Sequence, residues 1–189
     1  MLWRSNIGLS ILMATVNLLP NADVSNDWTL STGSDVYALL DDDYTGSVAF
    51  DSSYVSSTSA GSSCIVDLQD FSESHSAINS ITLVTKAGND GRGASYVLET
   101  RLTSASGDYY TESSGIQTAN RGYRTQTYTT RTTHDGSNAW TNALLNSLRV
   151  RVDLDAHSGG TTKLTYCYVT VDYNLPVATD NSILFGTNF

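Results

Sequence analysis

The sequence predicts an all-β protein, an antiparallel β-sandwich with at most one short helix and extended terminal arms. Three observations carry this. Of 189 residues, fifty are Ser or Thr, and the sixteen Asp far outnumber the three Glu, while Lys occurs only at Lys86 and Lys163. Such a chain is poor in strong helix formers and rich in residues that suit strands and turns. Nearly every apolar segment repeats with period two, the signature of a strand with one face buried. Turn-forming clusters separate these segments: Ser59-Ala60-Gly61, Asn89-Asp90-Gly91, Ser106-Gly107-Asp108, Asp135-Gly136 and Ser158-Gly159-Gly160. Short strands with this punctuation pack as an antiparallel sandwich, not as βαβ units.

Taken along the chain, strands are expected at residues 23–30, 36–40 and 47–50. Residues 64–70 come next, with Cys64, Val66 and Leu68 facing inward, and then 78–86, apolar on both faces in part. In residues 96–102, Glu99 and Arg101 point outward; residues 109–112 form a further short strand. Residues 123–133 are β-prone yet polar on both faces, which suits either an edge strand facing solvent or a segment ordered by a neighbouring subunit. Residues 141–146 are the one helical candidate, with Thr141 as N-cap. The clearest alternation is Leu148, Val150, Val152 and Leu154 against Arg149, Arg151 and Asp153. Residues 162–173 read as a central strand.

The length suits one domain, divided as an N-terminal arm at 1–18, a sandwich at 19–175 and a C-terminal arm at 176–189. The apolar stretch near the start is interrupted by Gly8 and Ser10 and is too short for a spanning helix. Trp3, Ile7, Leu9, Ile11 and Leu12 at one end and Ile183, Leu184, Phe185 and Phe189 at the other are candidate interface residues. An apolar tail either folds back on its own domain or reaches a neighbour. The first residues before Met13 read as an extension.

Charge narrows the partners. A net charge of −9 and a pI near 4.5 disfavour nucleic acid, which needs clustered Lys and Arg, and an anionic membrane surface. Cys64 and Cys167 lack metal or redox spacing; each sits in an apolar run, and two buried thiols are expected over a single bridge.

Catalytic signals are sparse. His75, His134 and His157 are far apart in sequence, lie in or beside loops, and are expected to be solvated. No nucleophile elbow, P-loop, dinucleotide fingerprint or zincin motif occurs. Asp41-Asp42-Asp43 and Asn89-Asp90-Gly91 offer oxygen ligands but miss the calcium-loop register, and solvated turns are expected there. A glycosidase needs two facing carboxylates, and Glu73, Glu99 and Glu112 suggest no such pair. The expectation is therefore no enzyme, no metal and no cofactor. Tyr109, Tyr110, Tyr123 and Tyr128 are candidates for stacking on sugars, against the simpler account of strand propensity.

The last third carries a further pattern: Trp140-Thr141 followed by Leu144, then Leu148, Val150 and Val152, a Gly-containing loop, and Tyr168-Val169-x-Val171-Asp172-Tyr173. Together with Leu19-Pro20-Asn21-Ala22-Asp23 and Trp28, this resembles virion proteins of tailed bacteriophages; the segment before Met13 lies outside the pattern. The resemblance implies a jelly-roll or related sandwich in a noncatalytic role, with Trp140 and the Val-Asp-Tyr ending as fold determinants. Terminal arms and an acidic, Lys-poor body then suit a capsid decoration (cement) protein on the outer surface of the virion. Its expected partners are the major capsid protein and its own copies, as a trimer or dimer. The alternative is a tail, neck or fibre component whose sandwich binds glycans.

Overall fold

Period-two burial and antiparallel pairing organise residues 12–41, 52–118 and 122–176, which are the residues described in this computed structural model. In chain order the elements are β1 (Met13–Leu18), β2 (Pro20–Asn26), β3 (Thr29–Leu30), α1 (Tyr37–Leu40), β4 (Val55–Ser57), β5 (Ser63–Leu68), β6 (Ala77–Asn89), β7 (Ser95–Ser104), β8 (Gly107–Ser113), β9 (Gln117–Thr118), β10 (Tyr123–Thr127), α2 (Asn142–Leu145), β11 (Arg149–Ser158) and β12 (Thr162–Asn174). The protein is an antiparallel β-sandwich. One sheet runs β10-β6-β12-β4-β3, with β1 also on β12; the other runs β2-β5-β11-β7-β8, with β9 on β7. Setting aside the short strands and β2, the sheets read β1-β12-β6-β10 and β5-β11-β7-β8. Apart from the β7–β8 hairpin, successive strands of this set cross between sheets, in the jelly-roll order of two Greek keys. Hydrophobic alternation alone fixes faces and not neighbours, so this order is not readable from the pattern.

The core lies where the inner rows of β7, β11 and β12 meet. Leu98, Val150, Val152, Leu154, Leu164, Cys167, Val169 and Val171 are at most 2% exposed. Their outward neighbours Glu99, Arg101, Arg149 and Arg151 remain half-buried among ion pairs on the sheet surface. α2 forms where expected: the Thr141 hydroxyl accepts the Leu144 N–H, and Leu145 is fully buried at the end of the sandwich.

Four expectations need correction. Residues 36–40 form a helical turn, because the Asp23 carboxylate accepts the N–H groups of Val36 and Tyr37 at 2.8 and 2.7 Å and so satisfies its first donors. Residues 23–30 do not form one strand. The Asn26 side chain bonds both the N–H and the carbonyl of Trp28, and the chain turns there from one sheet to the other. The arm drawn at 1–18 takes in part of the sandwich: Met13–Leu18 pairs with Val169–Asn174 over six consecutive residues. Of residues 123–133, Tyr123–Thr127 form the expected edge strand, β10, but the strand ends there, and the chain beyond it bonds Leu83 and Ile81 on one sheet and Glu112 on the other. The strand expected at 47–50 lies outside the described residues. Cys64 and Cys167 are free and buried, one from each sheet.

Candidate functional site

Residues 128–140 close one open side of the sandwich by bonding to both sheets. On the β6 side, Tyr128 donates its N–H to Leu83, and Arg131 and Ile81 exchange backbone bonds at 2.8 and 2.9 Å. On the β8 side, the Glu112 carboxylate accepts the Thr129 N–H and the Arg131 guanidinium, the latter at 2.7 Å. Burial opposes ionisation of Glu112, but the Thr129 amide and Arg131 outweigh it and hold its carboxyl below the usual range. The Arg131 guanidinium also lies 4.3 Å from the centre of the Tyr110 ring.

Aromatic packing completes this strap. Trp140 is buried, donates its indole N–H to the Arg131 carbonyl at 3.0 Å, and meets Tyr109 and His134 edge-on at ring separations of 6.0 Å. A register shift between Leu102 and Thr103 places a bulge at Tyr109, so two successive tyrosines can approach one tryptophan. The Tyr110 hydroxyl donates to the Thr133 carbonyl and accepts the Gly136 N–H. Asp135 accepts the Ser137 and Asn138 N–H groups. The Asn138 amide leads the effects that pull its carboxyl down to about 2.

At one end of the second sheet lies a polar groove of about 430 Å³, lined by Asn21, Ala22, Asp67, Leu68, Asp70, Ala105, Asn146, Ser147 and Arg149. Five places in the chain build it: the start of β2, the end of β5 and the loop after it, the β7–β8 turn, the end of α2 and the start of β11. The Asn146 side-chain oxygen accepts the Phe71 N–H at 2.9 Å, pinning the loop that carries Asp70. Arg149 is held by Asp67 at 2.7 Å. Carboxylates, amides, a hydroxyl and a guanidinium converge on one open space, a lining that can hydrogen-bond a polyhydroxylated ligand. No short motif joins these residues, which is why sequence reasoning misses them.

The residues singled out from sequence fall elsewhere. Trp3, Ile7, Leu9, Ile11, Ile183, Leu184, Phe185 and Phe189 lie outside the described residues. Leu12 is 65% exposed beside Leu175. Among the four tyrosines, Tyr128 is buried and Tyr109, Tyr110 and Tyr123 are half-buried, so strand and strap packing accounts for them better than sugar platforms do. The histidines are half-buried, not solvated. His75 packs on Phe71 at 5.1 Å, His134 fits between Tyr109 and Trp140, and His157 bonds the Gly160 carbonyl. Asn89 is fully buried, bonding Gly91, Gly159 and Thr162, while Asp90 holds the Thr161 N–H and Lys163. The glycine loop is therefore a locked turn. Of the acidic run, Asp41 ends α1, and Asp42 and Asp43 lie outside the described residues. Among the described residues no group of three or more His, Cys, Asp or Glu could hold a metal ion. Burial pushes the Cys64 thiol up and the Cys167 thiol to about 12, which keeps both protonated at neutral pH.

No family model matches the chain, and no curated protein matches it. Among solved structures it is similar to truncated AlyQ with CBM32 and alginate lyase domains, at 12% identity and TM-score 0.44 over 87% of this chain and 35% of that one. The chain thus spans about a third of that protein's length. It is also similar to the CBM36-1 domain of a multidomain xylanase from the hindgut metagenome of Trinervitermes trinervoides, at 9% identity and TM-score 0.39 over 84% and 96% of the two chains. A third is the Stig cyclase Fisc from Fischerella sp. TAU, at 12% identity and TM-score 0.36 over 91% and 93%.

Proposed function

We propose that this chain is a noncatalytic jelly-roll module of a virion, and that it serves as a capsid decoration protein on the outer surface of the head shell. The observation that supports it is where the two ends of the fold lie. Met13 pairs with Asn174, and Leu175 donates to the Leu12 carbonyl, so the first and last described strands lie side by side at one corner. Leu12 and Met13 at that corner are 65% and 66% exposed, apolar surface that burial against a neighbour would stabilise. The choice of a tailed-phage particle rests on the sequence resemblance. Quantitative gels of purified particles test it: a copy number comparable to that of the shell protein is expected, and a copy number matching a tail or neck ring overturns it.

The polar groove favours a second reading, a glycan-binding sandwich in a tail, neck or fibre. Asp70 and Ser147 line that groove without holding its walls together. On a glycan array this reading expects signal from the wild-type protein that is lost in Asp70→Ala; no signal from correctly folded protein overturns it.

A further inference from the structure

A groove that holds its ligand by hydrogen bonds reads that ligand's hydroxyls, and the charge of its walls decides what it turns away. The polar groove at the end of the second sheet, about 430 Å³, falls within the ~300–1,000 Å³ of small-ligand clefts. Its apolar lining is confined to Ala22, Leu68 and Ala105, and no aromatic side chain is among the described residues that line it. A sugar ring therefore finds no plane to stack on and has to be held by its edge.

The fold aims polar groups into this space. Between Pro20 and Ala22 the pairing of β2 with β5 shifts by one residue, which makes Asn21 the extra residue of a bulge. Bulges re-aim the side chain they carry. Asp67 and Arg149 are directly opposite on β5 and β11, and the Arg149 Nε donates to Asp67 at 2.7 Å. The guanidinium is thus fixed through one nitrogen, and among the described residues its terminal N–H groups have no partner. Asn146 spends its side-chain oxygen on the Phe71 N–H and keeps its amide N–H groups. The side chains of Asn21 and Asp70 bond nothing among the described residues. Free donors and free acceptors therefore face one space, as a hydroxyl group requires, since it both gives and takes hydrogen bonds.

Charge narrows the ligand further. Of the charged side chains in the lining, Asp67 and Arg149 offset each other and Asp70 remains, in a chain of net charge −9. An acidic ligand would meet Asp70 with no free cation to offset it. A cationic ligand would gain Asp70 but meet the Arg149 guanidinium in the same groove.

We infer that this groove recognises a neutral saccharide through adjacent hydroxyl groups, with Asp70 as acceptor and Asn21 and Arg149 as donors, and that it turns away sialylated and uronate glycans. The inference rests on the glycan-binding reading and names the ligand class that reading leaves open. Asp70 provides the strongest bond of the set because its acceptor oxygens are charged.

A glycan array probed with full-length protein, followed by calorimetric titration with the strongest neutral glycan, tests this. Neutral glycans are expected to bind at least about tenfold more tightly than their sialylated or uronate counterparts, and replacing either of two adjacent hydroxyls by hydrogen should cost about tenfold in affinity. Asp70→Asn keeps the side chain's shape and removes its charge. It should weaken neutral binding about tenfold and narrow the gap to the acidic counterparts. Asn21→Ala should weaken binding and leave that gap unchanged. Thermal unfolding that overlays wild type shows that each variant is folded. A preference for acidic or amino-sugar glycans, or neutral binding indifferent to Asp70→Asn, overturns the inference and leaves a glycan-binding sandwich standing. An array without any signal sinks the glycan reading itself, and this inference with it.

Discussion

β1 and β10 are edges of the same sheet, yet they are finished in opposite ways. Beyond β10 the chain continues into the strap of residues 128–140, which bonds Leu83 and Ile81 on one sheet and Glu112 and Tyr110 on the other. Arg124 on β10 also lines the space between the sheets, where about 10 Å³ remains, room for one water at most. At β1, among the described residues, the ladder goes no further than its pairing with β12, and Met13 and Leu12 are two-thirds exposed. Sealing one side within the chain lets the fold stand as a unit.

The largest effect is expected on the sealed side. Trp140→Ala removes a ring that is 3% exposed and touches Tyr109, Tyr110 and His134. It also leaves the Arg131 carbonyl without its indole donor. A loss of about 3–5 kcal/mol in urea unfolding is expected, the usual range for a buried Trp truncated to Ala. A loss below about 1 kcal/mol would show that the strap is ornament to the core, and the contrast between the two edges would fail.

Much of this contrast is hidden in the sequence for physical reasons. Alternation at Leu148 to Leu154 and the Thr141 cap are legible because a strand face and a helix start are written in neighbouring residues. The strap escapes a local reading because Tyr123 to Thr133 has no buried face of its own. What orders it is long-range: Glu112 lies 19 residues from Arg131. Residues 36–40 read as a strand because their apolar run suits either state, and Asp23, 13 residues before Val36, decides for a helical turn. β1 reads as part of an arm because a six-residue uncharged segment declares no partner; its partner, β12, is at the other end of the chain. The groove draws single residues from five places, and no local spacing encodes it.

A smaller effect is expected from Glu112, and it should depend on pH. Its carboxyl is held below the usual range, so the folded state binds its proton less readily than the unfolded chain does. The stabilisation is therefore complete above the unfolded value of about 4.3 and is lost as pH falls through the folded one. Glu112→Gln should cost about 1 kcal/mol at neutral pH, since the pair with Arg131 is only partly screened at 18% and 28% side-chain exposure. The difference from wild type should vanish in acid. A gap that persists well below pH 3 would mean that the glutamate acts through packing and not through its charge.

The smallest effect is expected at the open edge, where Thr15→Lys serves as a stability probe. Thr15 is exposed, pairs with Asp172 across the ladder and points away from the core. An exposed substitution of this kind shifts stability by no more than about 0.5 kcal/mol, and a lysine facing Asp172 meets an opposite charge. Measured at protein concentrations low enough to keep the chain monomeric, urea unfolding of Thr15→Lys should overlay that of wild type. A variant destabilised by more than about 1 kcal/mol in dilute solution would mean that β1 is held from both sides within one chain, and that the two edges differ less than their chemistry implies.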